Sequence, residues 1–367
     1  MHKKIEGNFK KKGKVMASIT IKDVARLSGY SISTVSRALN DHRDISPETK
    51  EKIQKVIKEY GYIPNNSARN LKKKDSNTIS IIVKGISNPF FQDMYTMFEH
   101  SQQMKNYTLS LTQVSEDESE IFAAIEAEKE KKLCGVIFFG GYFDEKARDY
   151  LKRINVPYVL CTAKMDGDAD PATYTEVGID DELESYKVVK YLTELGHKRI
   201  AIIGGKKTDR NIGRYRLQGY YKALKDAGIT PDESLVFYMD DNYPEHTPEN
   251  GYAVMNAMLD SGVDFSAVYV ISDNTAYGAC KAMLDRGLKI PEDYSLASFD
   301  GLEMSKYYHP SLTTMKQPCQ RMVDEVVKQL LVLLNAEDGE EVQHVHKIFP
   351  AKLIIGQSTA PYKPKKK

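Results

Sequence analysis

Between Ser31 and Leu39, the side chains of Ser33, Thr34, Ser36 and Arg37 project to one side of a helical wheel, opposite Val35 and Leu39. An Arg guanidinium can donate two parallel hydrogen bonds to O6 and N7 of a guanine, and short hydroxyl side chains let a helix come close to base edges. That is the chemistry of DNA reading. Nothing comparable points to catalysis: Gly204 and Gly205 lack the Lys-Ser/Thr continuation of a phosphate-binding loop, His197-Lys198-Arg199 has no metal partner, and no nucleophile elbow occurs. No enzymatic activity, cofactor or metal is expected. The four cysteines, Cys134, Cys161, Cys280 and Cys319, are spaced 27, 119 and 39 residues apart, which fits neither a metal site nor a disulfide framework. They read as reduced packing residues.

The elements around Arg37 position it. Thr20 can cap a helix with Asp23 at its third position, placing Ile21, Val24, Ala25 and Leu27 or Ser28 on one face before Gly29 stops it. Ser31 can cap a second helix from Ile32 to Leu39. Ser46, Pro47 and Glu48 supply the cap, first-position proline and acidic first turn of a third, with Ile53, Val56, Ile57 and Tyr60 inward. Two short helices joined by a tight glycine turn are the helix-turn-helix layout, with the second helix in the major groove.

Charge supports a polyanionic partner for this end. Residues 1–74 carry 18 Lys and Arg against 7 Asp and Glu, and a surplus of 12 over 6 survives when the aperiodic basic leader before Met16 is set aside. The leader has no apolar core or small-residue cleavage site, so a secretory signal is not expected and a cytoplasmic location is. No stretch approaches the roughly 18 consecutive apolar residues of a membrane span.

The run IKDVARLSGYSISTVSRALN, followed by ISPETKEKI and YGYIPNNSARNL, resembles the head of the lactose/galactose-repressor (LacI/GalR) family of bacterial regulators across residues 19–72. Tyr30 departs from the small apolar residue usual there. The resemblance implies DNA contacts from Thr20, Ser31, Ile32, Ser33, Thr34, Ser36, Arg37 and Asn40 in the head. It also implies a hinge helix following Pro64, contributing Tyr62, Asn65, Ser67, Ala68, Leu71 and Lys72, with Leu71 at the position of a leucine wedged into the minor groove. A segment so short is marginal as an isolated helix in water, so its order is expected to come from DNA and a second hinge.

From Thr78 the pattern changes to short apolar strands alternating with amphipathic helices, and it repeats from Val177 onward, which implies two similar lobes of parallel sheet. Ligands of such sheets sit beyond the carboxyl ends of the strands. ISNPFF, LGHKRIAIIGG, RYRLQGYYKAL, ISDNTAYGA, SFDG and LTTMKQP resemble the effector domain of the same family, related in fold to periplasmic sugar-binding proteins. The resemblance implies that Arg216 and Asp300 grip an effector, chemistry that suits a polyol because a guanidinium fork and a carboxylate can each engage two hydroxyls. Phe90 or Phe91, and Tyr243 or His246, would offer an apolar face to a sugar ring. Arg210, Ser272, Asp273 and Gln317 occupy other matching positions. Phe139 and Cys161 stand at two further effector-contact positions, where some members carry polar groups instead, and Gly356 stands in place of a family Arg.

The expected fold is thus a small all-α helix-turn-helix head plus a two-lobed α/β effector domain like the periplasmic binding proteins, with two doubly wound parallel sheets. The expected organisation is a disordered basic leader (1–17), the head (18–62), a hinge helix and linker (63–76), one lobe from 77–177 and 316–346, the other from 178–315 and 347–360, and a basic tail (361–367). The expected function is repression of carbohydrate-utilisation genes by a homodimer on pseudo-palindromic operator DNA, governed by a sugar-like effector and with no membrane partner. The alternatives are an activator or global catabolite regulator with a phosphoprotein corepressor, and, more remotely, a transport-type solute-binding protein.

Overall fold

The computed structural model describes residues 21–39, 45–60, 77–85, 87–115, 118–210, 212–336 and 342–364. The chain divides into two compact units, Met1–Lys74 and Asp75–Lys367.

The first unit contains α1 (Ile21–Ser28), α2 (Ile32–Leu39) and α3 (Pro47–Tyr60). Val24, Ala25, Val35, Ala38 and Ile53 form its small core, with Tyr30, Ile45, Val56 and Ile57 packed against them. The caps fall where Ser31 and Ser46 predict: the Thr34 amide donates to Ser31 Oγ at 3.1 Å and the Thr49 amide to Ser46 Oγ at 3.2 Å. Gly29, at φ +76°, makes the left-handed turn between α1 and α2. Leu27 turns outward, 42% exposed, whereas Ser28 is half-buried.

The second unit holds two sheets of six strands. The first lobe comprises β1 (Thr78–Lys84), α4 (Pro89–His100), β2 (Thr108–Val114), α5 (Glu120–Lys131), β3 (Leu133–Phe139), β4 (Tyr142–Phe143), α6 (Glu145–Leu151), β5 (Tyr158–Cys161), β6 (Lys164–Met165) and β7 (Thr175–Gly178). The second comprises α7 (Asp181–Glu194), β8 (Ile200–Gly204), α8 (Ile212–Asp226), β9 (Val236–Tyr238), α9 (Pro248–Asp260), β10 (Ala267–Val270), α10 (Asp273–Asp285), β11 (Ser295–Asp300), α11 (Met304–Tyr307) and β12 (Thr313–Lys316). The chain then returns to the first lobe through α12 (Cys319–Asn335) and β13 (His346–Ile348), and ends in the second through β14 (Lys352–Ile354). The sheet orders are β13-β7-β5-β3-β1-β2 and β14-β12-β11-β10-β8-β9, and β4 pairs with β6 in a separate two-stranded sheet.

The first sheet is parallel throughout. In the second, β14 runs antiparallel to β12, so that sheet is mixed at one edge rather than wholly parallel as expected. β13 pairs with β7 as far as Ile348, so the last crossing lies two residues beyond the expected 346/347 boundary. The apolar runs are continuous because both faces of each sheet are covered. In β8, Ile200 and Ile202 enter one core while Ala201 and Ile203 enter the other, the period-two alternation of a strand. The larger cluster is continuous through both lobes, from Ile79 and Met94 to Tyr269 and Phe299.

Candidate functional site

The lobes meet at the carboxyl ends of their strands, where Asp300 closes β11. Its backbone takes φ +109°, a conformation non-glycine residues rarely adopt, and Gly301 follows at φ +71°, where an added Cβ would lie 2.4 Å from Lys316 Cα. Strain of this kind, of order 1–3 kcal/mol, persists only where the surroundings hold it. Here the surroundings are polar. Asn88 Nδ2 donates to Asp300 Oδ2 at 3.1 Å, Gln317 Nε2 donates to Oδ1 at 3.0 Å, and Arg216 Nη1 lies 3.5 Å from Oδ1.

Arg216 is 4% exposed. α8 carries it inward, its guanidinium lies 3.7 Å over the Phe299 ring, and Nε and Nη2 each reach Asp181 Oδ1 at 3.0 Å while Nη1 donates to the Ile271 carbonyl. Burial pulls its pKa down, but Asp181 and Asp300 outweigh that and raise it. For Asp300, burial dominates Arg216 and pushes the carboxyl up to about 7. Lys164 is the second cation of the lining and is half-buried, with Nζ 3.1 Å from Glu176 Oε1 and 3.4 Å from the Ile179 carbonyl. Burial again opposes its charge, and Glu176 and Asp181 more than compensate.

These groups line a cavity of about 50 Å³ together with Phe90, Phe91, Thr162, Ile212 and His246. That is room for a few waters at most, so a larger guest requires the lobes to part. What holds them is direct: besides Asn88 to Asp300, Ser87 Oγ donates to the Glu245 carbonyl at 3.0 Å. An open groove of about 580 Å³ near Gln103, Leu331 and Val342 is larger, but no buried charges converge on it.

Of the residues expected to contact an effector, Phe90, Phe91, Arg216, His246, Asp300 and Gln317 line this cavity. Six do not. Phe139 is buried between Phe91 and Phe98, and Cys161 is wholly buried, which pushes its thiol well above the ordinary range. Ser272 caps α10 by accepting from the Thr275 amide. Asp273 is wholly buried and accepts from Ser298, Ser305 and Thr314 hydroxyls and the Leu302 amide, which occupies its oxygens with structural work. Arg210 and Tyr243 are exposed outside the lining. Sequence reasoning missed Asn88, Lys164, Glu176 and Asp181. Asn88 had a signal, since Asn before Pro89 is a helix cap, and it does accept from the Phe90 amide at 3.1 Å.

In the head, Arg37 is exposed on α2, Thr34 is half-buried and Ser31 is exposed at the cap. Ile32, Ser33 and Ser36 lie in α2, but their side chains fall outside the description. Thr20, Asn40, Tyr62, Asn65, Ser67, Ala68, Leu71 and Lys72 lie outside the described residues altogether. His197, in the basic triplet, is a packing residue bonded to Ser266 Oγ and the Ala360 carbonyl. Among the described residues no group of acidic, His or Cys side chains could hold a metal ion, and no helix is long and apolar enough to cross a membrane.

A helix-turn-helix unit carried with a two-lobed, cleft-bearing domain defines a ligand-responsive class of DNA-binding regulator. Residues 20–65 match the model of the bacterial regulatory proteins of the lacI family, and residues 189–359 match a periplasmic binding protein-like domain. The transcriptional regulator MalR of Clostridium butyricum is 38% identical over 340 residues, covering 92% of this chain and 98% of that one. The transcriptional repressor CytR of Escherichia coli K12 is 32% identical over 340 residues, covering 93% and 96%. Among solved structures, a complex of the regulator CelR with cellobiose superposes with TM-score 0.67 at 27% identity, covering 93% of this chain and 99% of that one. The lac repressor dimer bound to operator gives 0.65 at 25% identity, covering 94% and 100%. The chain belongs to the LacI family and is a helix-turn-helix transcriptional regulator.

Proposed function

We propose that this regulator is a homodimeric repressor whose affinity for a pseudo-palindromic operator is set by a sugar held between the lobes. The observation that carries the effector half is the convergence of Asn88, Arg216 and Gln317 on Asp300 at the strand ends of both lobes. A carboxylate and a guanidinium, each able to engage two hydroxyls, suit a polyol, and Phe90 and Phe91 offer it apolar surface. The family relatives include a protein solved with cellobiose, which makes that disaccharide a rational first probe. The DNA half rests on Arg37 in a short recognition helix that reads only a few base pairs, so two-fold symmetry is needed to double the contact.

Calorimetry with a panel of neutral sugars on wild type and on Asp300→Asn tests the cleft. The amide keeps the volume and loses one strong acceptor, so binding should weaken by tenfold or more with the fold intact. Affinity within twofold of wild type would remove Asp300 from the site.

For the switch, residues 64–72 connect head and body in the sequence. A sugar that changes lobe closure would alter the separation of the two hinges in the dimer and bias the heads toward release or capture. A Gly pair at Ala68 and Arg69 lowers helix propensity by about 1 kcal/mol per residue. It should weaken operator binding in gel shifts and reduce its response to sugar, with sugar affinity unchanged in the absence of DNA.

A further inference from the structure

The charged groups of the cleft form a chain of alternating sign. Glu176 in β7 faces Lys164 in β6; Lys164 also feels Asp181 at the start of α7; Asp181 holds Arg216 of α8, and Arg216 faces Asp300 at the end of β11. The run therefore passes from one lobe to the other at the crossing after β7. It contains three carboxylates and two cations, and each cation already faces an anionic partner. All three guanidinium nitrogens of Arg216 are engaged by Asp181, Asp300 or the Ile271 carbonyl, and Lys164 is held by Glu176 and the Ile179 carbonyl. His246 adds a positive charge only when protonated, and Glu245 stands 4.0 Å from its Nε2.

We propose that this cleft selects uncharged polyols and rejects phosphorylated or carboxylated sugars, with Lys164 and Glu176 as the specificity-determining pair. The proposal rests on the sugar reading of the same site. An anion entering the cavity would meet a surplus of one carboxylate with every cation already bracketed, and juxtaposed like charges in a desolvated site are strongly unfavourable. Protonating Asp300 brings the count only to neutrality. A neutral sugar instead exchanges hydrogen bonds with Asn88 and Gln317 for the same carboxylate and disturbs neither ion pair. The pair also explains how a lysine is tolerated in the lining of a polyol site: Glu176 keeps it from acting as a phosphate anchor.

Calorimetric titration of the full-length protein with matched probes tests this. The sets are glucose with glucose 6-phosphate and glucuronate, ribose with ribose 5-phosphate, and cellobiose with cellobiose 6-phosphate. The neutral member of a binding set should bind at least tenfold tighter than its anionic counterparts. Glu176→Gln, which frees Lys164 and removes the surplus, should narrow that ratio several-fold; Lys164→Gln should widen it. A merely structural loss would weaken both members alike and leave the ratio unchanged, which counts against the pair. An anionic sugar binding as tightly as its neutral counterpart to the wild type overturns the proposal while leaving the sugar reading standing. Binding by no member of any set overturns the sugar reading itself, and the proposal with it.

Discussion

At Asp300 the site's chemistry and its strain coincide. Burial outweighs Arg216 and pushes the Asp300 carboxyl up to about 7, and Asp273, Cys319, Tyr269, Tyr277, Asn88 and Gln317 also face it. Sugar hydroxyls donate to the ionised form, so sugar binding should release close to one proton per site at pH 6. Affinity should rise about tenfold per pH unit up to about 7 and level off above. Titrations in buffers of different ionisation enthalpy measure the release, and Asp300→Asn should abolish it. For the unliganded fold the sign is opposite to that of a salt-bridged aspartate. Between the ordinary value of 3.8 and about 7 the folded chain binds more protons than the unfolded one, so this group's contribution to stability falls as pH rises through that window. In the head, Arg37→Ala should cost about 1–3 kcal/mol per half-site on operator and far less on scrambled DNA. Equal losses on both in gel shifts would remove it from base readout. Residue-scale legibility was uneven: the motifs carrying Arg216 and Asp300 brought both to the cleft lining, but Asp273 sits beside cap Ser272 and turns into the lobe. Lys164, Glu176 and Asp181 belong to no local pattern, since only the fold of strand ends and a lobe crossing assembles them.

At the scale of elements, the helices depend on caps and on close approach. Ser31→Ala or Ser46→Ala removes an amide acceptor at a helix start and should cost the head about 1 kcal/mol, read as a lower urea midpoint. A Cβ at Gly278 would lie 1.7 Å from the Pro248 carbonyl oxygen, and one at Gly251 would lie 1.9 Å from that of Thr275. These are backbone atoms that cannot swing aside, so α9 and α10 must separate. Gly278→Ala should destabilise the second lobe by about 1–3 kcal/mol, seen as a lower thermal midpoint; an unchanged midpoint would show that the helices slide at little cost. The central strands were legible because each is an apolar run between turn signals. The pair β4 and β6 is too short to show a period at two residues each, and it escaped notice. So did the antiparallel β14, whose direction depends on the chain crossing back between lobes rather than on its own residues.

Across the whole molecule, three crossings, after β7, after β12 and after β13, join lobes that the chain itself holds together through Asn88 and Ser87. The duplication of lobes could be read from the repeated strand-helix alternation; the closure could not, because it depends on the Asn88 and Asn274 amides and the Ser87 hydroxyl meeting groups more than a hundred residues away. A sugar must displace the Asn88 bond to reach Asp300, and that exchange is where the cleft can act on lobe geometry and, through the proposed dimer, on DNA. The most direct test is operator affinity by fluorescence anisotropy, using a fragment selected from random-sequence DNA, with and without a saturating neutral sugar, for wild type and Asp300→Asn. The wild type should change its operator affinity about 5- to 150-fold, and the variant should stay within twofold at the same sugar concentration. A sugar that binds the cleft yet leaves operator affinity unchanged, or that shifts the variant as far as the wild type, would contradict control of DNA binding through Asp300.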